Sequence, residues 1–422
     1  MNDVFLFASC YCAARIAFYS RQYFAEREHL PTLVYHKEDK DSASHRAVVQ
    51  CENILRSYHA SWLLAVLDYY GELQTLYTLQ IRKLFPVKVV YTRELFPLED
   101  GGTVGIDWLE DDARKNDCNA PIVILQHGLC GHTYSHYMKG VPGVLQRAGF
   151  YVASFVARGC GGVPLTTPET FTASRTGDFR AIVSYMQNKY PGRQIFAIGY
   201  SLGAGLLLKY VGEEGEGCPL SGAVAISPAY DFHERTPKFA QYEAAGMVQG
   251  LRSLVLKHES FLKNNADSML DWEGMINART IRDFDQAAIV GSRCSAASKD
   301  GTTSSTTSAT AQREGSNATS NMDTSFLHYA SVDEYYTASS ACRYSHLIHT
   351  PTLSISAVDD FLSAADSVPT SLDKIGSGLV VLKLPHGGHV SFSDSLFSGH
   401  GPHSCWTDRV CAEWLGALSK KP

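Results

Sequence analysis

The chain has no excess of positive charge. Its 37 lysines and arginines are outnumbered by 43 acidic residues, for a formal net charge of −6. A broad basic face for nucleic acid is therefore not expected. The N-terminus does not offer the roughly 20 apolar residues that a spanning helix needs. Val4 to Tyr19 is mostly apolar but is broken by Arg15. A secretory signal is only the third reading, because Asp3 replaces a basic start and no clear small-x-small site precedes the polar run Arg21 to Glu28. This stretch reads as a short anchor or interfacial helix, with a packed amphipathic helix as the alternative. The expected location is membrane-associated through the N-terminus, or cytoplasmic. The 11 cysteines are odd in number and lack paired C-x-x-C spacing. Cys10 and Cys12 are too isolated for a tetrahedral site, so free thiols in a reducing compartment are expected. The glycine-rich run Arg158-Gly-Cys-Gly-Gly162 lacks the Lys-Ser/Thr of a phosphate loop. No metal and no cofactor is expected.

What the 422 residues do have is apolar material, 45% of the total against 19% charged. That is enough for one large core plus an insertion, or for two domains. The most informative stretch is Ile195 to Tyr210, a buried strand, an abrupt turn and an apolar helix. The strand is read to Gly199 and the helix from Leu206. Between them, Gly199-Tyr-Ser201-Leu-Gly203 fits G-x-S-x-G. A serine at such a turn projects its hydroxyl from the sheet. The helix start offers free N–H groups to a developing oxyanion.

A serine hydroxyl needs a base, and the base needs an orienting carboxylate. In this architecture they follow in the order acid, then histidine. Pro351 to Val358 reads as a strand ending at Asp359 and Asp360, and Leu379 to Leu384 as a strand followed by His386 and His389. Open parallel sheets place their sites beyond these strand ends. Upstream, the strand Pro121 to Gln126 leads into His127-Gly-Leu129-Cys-Gly131. This turn can present the Leu129 N–H to an oxyanion, paired with the Leu202 N–H. His127 precedes both serine and acid, so it is read as shaping the loop. Cys130 and Cys160 are read as small hydrophobes that line the site.

Elsewhere the chain alternates. Strands are expected at Val87 to Arg93 and, after the hairpin signal Asp100-Gly-Gly102, at Thr103 to Trp108. Further strands are expected at Phe150 to Phe155 and Gly222 to Ile226. Helices are expected near Tyr137 to Ala148 and Thr176 to Lys189, and Trp62 to Leu67 reads as a packed helix. The pattern implies a mostly parallel sheet with helices on both faces. Residues 230–347 interrupt it. Met247, Leu251, Leu254 and Val255 fall at helical spacing, so this segment reads as a mainly helical cap. Within it, Ser295 to Ser325 is too poor in apolar residues to order itself. Asn317-Ala-Thr319 in that stretch is a glycosylation sequon by pattern only. Residues 70–229 and 348–422 form the expected core, and 1–69 an N-terminal segment. His36 to Asp41 matches an H-x-x-x-x-D pattern in a charged stretch with no adjoining sheet, so chance explains it. Arg158 is expected to tie its loop into the site wall. Arg279 to Asp285 is expected to supply cap-to-core ion pairs.

Six of these motifs recur in the same order in one branch of the α/β-hydrolase superfamily, the AB hydrolase 4 family. They are His127 to Gly131, Arg158 to Gly162, Gly199 to Gly203, Arg279 to Asp285, Asp359-Asp360 and Gly387-Gly-His389. The chain resembles the mammalian abhydrolase-domain proteins 1, 2 and 3, bacterial YheT-like hydrolases and yeast medium-chain ethyl-ester synthases. The likeness covers roughly Tyr70 to Leu418. It departs at Phe361, where relatives usually have proline, at Val156 and Ala157, where they usually carry asparagine, and at Glu72 of Gly71-Glu-Leu-Gln-Thr75, where they have histidine. The resemblance implies an α/β-hydrolase fold with a triad of Ser201, Asp360 and His389. Asp359 remains the alternative acid. It implies hydrolysis of lipid-like carboxylic esters, in some members with acyl transfer to an alcohol. An alcohol O-acyltransferase and a non-catalytic binding protein of the same fold are the alternatives. The expected partner is a small ester or lipid, with a membrane surface as a further candidate.

Overall fold

Strand β4 (Ile122–Gln126) shows how the core is built. Ile122 and Ile124 enter one apolar cluster, and Val123 and Leu125 enter another on the opposite face. Side chains alternate along a strand, so a continuous apolar run covers both faces of a sheet buried on both sides. The computed structural model describes residues 31–58, 71–84, 87–235, 241–265, 270–290, 329–394 and 405–419.

The other strands are β1 (Thr32–Val34), β2 (Tyr91–Pro97), β3 (Thr103–Leu109), β5 (Tyr151–Val156), β6 (Ile195–Tyr200), β7 (Gly222–Ile226), β8 (Thr352–Ala357) and β9 (Leu379–Leu384). They form one sheet in the order β1-β9-β8-β7-β6-β4-β5-β3-β2. The run from β5 through β9 is parallel. The edge strands β1, β2 and β3 pair antiparallel. This is the α/β-hydrolase arrangement. Helices α1 (Ala43–Leu55), α2 (Gly71–Leu84), α3 (Val141–Arg147), α4 (Gly177–Lys189) and α5 (Leu202–Glu214) precede the insertion. α4 and α5 pack on one face through Phe179, Ile182 and Leu207. α1 and α3 pack on the other through Val48, Leu55 and Leu145.

Between β7 and β8 lie α6 (Gln241–Lys257), α7 (Glu259–Asn264), α8 (Trp272–Asn277), α9 (Ile281–Asp285) and α10 (Val332–Ser339). Val248, Leu251, Val255, Leu262, Met275 and Phe284 hold the first four together in their own apolar cluster. The chain closes with α11 (Trp406–Ser419), whose Trp406 and Trp414 are fully buried beside α1.

Several boundaries differ from the sequence expectations. β2 starts four residues later than the alternation at Val87 suggested, because its pairing with β3 from Tyr91↔Leu109 to Pro97↔Thr103 sets the register. α5 begins at Leu202, not Leu206, so Gly203-Ala204-Gly205 is helical. Close packing there overrides the low helix propensity of glycine. The stretch after Val34 does adjoin the sheet, since β1 pairs with β9 and His36 Nε2 lies 3.0 Å from the Ile375 carbonyl oxygen. The ion pair within Arg279 to Asp285 stays inside the insertion. Arg282 meets Asp333 of α10 at 2.9 Å, while Asp283 and Thr280 form a capping box for α9. Val4 to Tyr19, Cys10 and Cys12, Trp62 to Leu67, and Ser295 to Ser325 with its sequon lie outside the described residues. Among the described residues, no helix is long and apolar enough to cross a membrane.

Candidate active site

Ser201 sits between β6 and α5 with φ 54° and ψ −121°, a conformation that costs an L-residue free energy. Its N–H is held by the Ile226 carbonyl of β7 at 2.9 Å. The flanking glycines are explained by contact. A Cβ on Gly199 would lie 2.7 Å from Ala204 Cα, and one on Gly203 would collide with the His127 carbonyl. The turn is thus wedged between β4, β7 and its own helix. The other described non-glycine residues with positive φ are Cys130, Ser227, Val390 and Phe392. All follow the carboxyl ends of β4, β7 or β9, where the chain turns around the same edge of the sheet.

Asp360 follows β8. Its Oδ1 accepts N–H bonds from Leu362 and Ser363, each at 2.9 Å, and it is 5% exposed. His389 follows β9. Its Nδ1 lies 3.0 Å from both Asp360 oxygens, and its Nε2 lies 2.8 Å from Ser201 Oγ. These partners fix the tautomer: Nδ1–H donates to the carboxylate, and Nε2 is left to accept from the serine hydroxyl. Asp359 faces elsewhere. Its Oδ1 accepts the Gly388 N–H at 3.0 Å, and its Oδ2 lies 3.8 Å from His386 Nδ1.

The His389 loop is held from outside the sheet. Thr75 Oγ1, on α2, accepts the His389 N–H at 3.0 Å. Thr78 Oγ1 meets Ser393 Oγ at 2.9 Å, and Ser227 Oγ accepts the Val390 N–H at 3.1 Å. Sequence reasoning noted Gly71 to Thr75 without giving Thr75 a task. The only signal was the motif itself.

His127 is buried away from the triad-like row. Its Nδ1 donates to the Gly128 carbonyl at 2.8 Å, and its Nε2 accepts the Ala157 N–H at 3.1 Å. Burial pushes its pKa down to about 4. It is a neutral loop brace. The Gly128 N–H donates to Tyr137 Oη at 2.9 Å, which shapes the same turn. Leu129 and Leu202 both border the cavity over Ser201. First-turn N–H groups have no acceptor within their own helix, which leaves the Leu202 N–H suited to an oxyanion. Cys130 borders that cavity, whereas Cys160 sits in the core beneath. Burial pushes both thiols up to about 12, which makes them poor nucleophiles. Arg158 does not border the cavity. It is 2% exposed and binds Asp178 of α4 at 2.7 Å and Asp100 of the β2–β3 hairpin at 2.6 Å.

The cavity holds about 1090 Å³ of non-protein space, part of it open to solvent. Met247, Leu251, Leu254 and Val255 of α6 wall one side, and Phe171, Phe232 and Tyr335 another. Among the described residues, no group of three or more His, Cys, Asp or Glu is placed to hold a metal ion.

The family model Hydrolase_4, described as serine aminopeptidase S33, matches residues 117–394. The chain belongs to this α/β-hydrolase family. Embryogenesis-associated protein EMB8 of Picea glauca is 29% identical over 344 residues, covering 78% of this chain and 66% of that protein. The chain therefore spans just under two thirds of the spruce relative. Phospholipase ABHD3 of Bos taurus is 26% identical over 340 residues, 78% of this chain and 72% of that one. Medium-chain fatty acid ethyl ester synthase/esterase 2 of Saccharomyces cerevisiae is 24% identical over 417 residues, 82% of this chain and 83% of that one.

Proposed function

We propose that this protein is a serine hydrolase of carboxylic esters with lipid-like acyl chains. The reading is carried by one observation: Ser201 Oγ, His389 and Asp360 make two successive hydrogen-bond contacts at 2.8 Å and 3.0 Å beneath an apolar cavity. Relatives named phospholipase and esterase support it. Ser201 Oγ attacks the acyl carbonyl as His389 Nε2 takes its proton. Asp360 holds the imidazole in place and stabilises its charged form. The Leu129 and Leu202 N–H groups receive the oxyanion. The C–O bond to the alcohol then breaks, and His389 returns the proton to the departing oxygen. Water, deprotonated by His389, frees the acid and regenerates Ser201. The apolar α6 wall would accept the acyl chain and exclude water. Access to substrate at a membrane surface through Val4 to Tyr19 belongs to the same proposal and rests on the composition of that stretch.

The test is turnover over p-nitrophenyl esters, phospholipids, acylglycerols and an aminoacyl anilide, with Ser201→Ala as control. Ester cleavage lost in the variant supports the reading. Anilide cleavage without ester cleavage overturns it. The yeast relative's name favours a second reading, in which an alcohol replaces water on the same acyl-enzyme. Partition of product between free acid and new ester at rising ethanol separates the two.

A further inference from the structure

Two carboxylates outside the proposed triad border the cavity, Asp231 and Asp285; Asp231 Oδ1 already accepts the His233 N–H at 2.9 Å. Asp285, the last residue of α9, borders the same cavity as Ser201 and His389. Its Oδ2 accepts the Tyr336 hydroxyl of α10 at 3.0 Å, and Tyr336 itself is 1% exposed. Among the described residues, Asp285 Oδ1 has no hydrogen-bond partner. The nearby Arg282 guanidinium makes its hydrogen bond to Asp333 at 2.9 Å, and not to Asp285. Nor does any Lys or Arg line the cavity among the described residues. Asp283 of the same motif caps α9, so capping does not explain Asp285.

A carboxyl in such a place has two options. It can stay charged and hold a cation, or it can keep its proton and act as donor and acceptor together. Burial pushes the Asp285 pKa up to about 7, which favours the second. A group that both donates and accepts is matched by a hydroxyl, which does the same. An ester carbonyl only accepts, and a phosphate would meet two carboxylates in a cavity that no Lys or Arg lines among the described residues.

We infer that Asp285, held by Tyr336, is a specificity-determining anchor that selects esters bearing a free hydroxyl near the scissile bond. The inference rests on the ester-hydrolase reading and names a substrate class for it. A half-buried carboxyl left without its partner hydroxyl loses a hydrogen bond in the occupied cavity, and such sites discriminate against analogues that lack the group.

The test compares monodecanoylglycerol with the same ester after methylation of both hydroxyls. The quantity read is the ratio of their kcat/KM values. The wild type should prefer the hydroxyl ester about 10- to 100-fold. Asp285→Leu should bring the ratio to within about threefold of unity, and Asp285→Asn, whose amide oxygen accepts from Tyr336 and whose NH2 still donates into the cavity, should keep a ratio above that of the leucine variant. Tyr336→Phe should lower the ratio about three- to tenfold by releasing the carboxyl, and it serves as the second variant if the leucine variant fails to fold. A wild-type ratio near unity overturns the inference. So does an equal loss on both esters in Asp285→Leu, or an unchanged ratio in folded Tyr336→Phe. Decanoylcholine is the third substrate. A loss confined to it in Asp285→Asn would show that charge is read, not a hydroxyl, and would also overturn the inference. Failure of the wild type on every ester would instead strike the ester-hydrolase reading, a separate outcome.

Discussion

Replacing Asp360 by asparagine should abolish turnover while leaving the fold intact, and the hydrogen bonds say why. Asp360 Oδ1 already accepts two backbone N–H groups, from Leu362 and Ser363. In the variant, the amide oxygen must take that position. The NH2 group then takes the place of Oδ2 and faces His389 Nδ1, now 3.0 Å from a carboxylate oxygen. A donor against Nδ1 forces that nitrogen to accept. The ring proton moves to Nε2, which is the atom 2.8 Å from Ser201 Oγ. The imidazole can no longer take the serine proton. A wrong tautomer of this kind costs about 10³–10⁴ in kcat, or about 4–5.5 kcal/mol of transition-state stabilisation. Asp359→Asn disturbs only the Gly388 N–H and a 3.8 Å approach to His386. It should cost less than about tenfold. Both variants should melt within a few degrees of the wild type. Matched steady-state kinetics on one p-nitrophenyl ester decide the matter. If Asp359→Asn shows the larger loss, the acid is Asp359 and the tautomer argument fails.

Ser201→Ala should lose fluorophosphonate labelling by intact mass and at least about 10⁴ in turnover; a label on another serine refutes the assignment. Leu254→Trp fills the apolar α6 wall, so a chain-length series should show long acyl esters losing more than about tenfold relative to short ones; a parallel loss across lengths would place the acyl chain elsewhere. Arg158→Ala strands Asp178 and Asp100, which it binds at 2.7 Å and 2.6 Å, and should destabilise by about 3–5 kcal/mol in urea; a change below about 1 kcal/mol contradicts the buried network. Asp285 carries a pKa raised from 3.8 to about 7 by burial, against the opposing Tyr336 hydrogen bond and Arg282 charge. Its folded form prefers the proton, so stability is lost as pH rises from about 4 to about 7. Asp285→Asn should therefore gain roughly 2–4 kcal/mol over the wild type at pH 8 and little at pH 4; equal effects at both pH values in thermal melts count against it.

The central sheet was legible because β4 through β9 are short apolar runs bounded by turns, and burial on both faces leaves no other pattern. The edges were not. β1 is only three residues long, and its place depends on backbone pairing with Val381 to Lys383, more than 340 residues away. β2 has an alternation that slides, and only the pairing with β3 fixes where it starts. The start of α5 was hidden by three small residues. Glycine reads as a breaker in sequence, yet Gly203 and Gly205 lie against the His127 and Ala229 carbonyls, where a side chain would not fit.

The same division runs through the candidate site. Ser201, Asp360 and His389 are 188 and 29 residues apart in their contacts, yet each follows a parallel strand. Parallel strands carry their carboxyl ends to one edge, so a motif placed just beyond a strand announces its position in space. Thr75 and Tyr336 lack that announcement. Both sit on helices, where any of several faces could meet the sheet, and only tertiary packing selects one. Thr75 holds the backbone N–H of His389, and Tyr336 holds the carboxyl of Asp285. Sequence order therefore points to the groups proposed to react. The groups that position them depend on how helices dock, and a turn motif does not encode that.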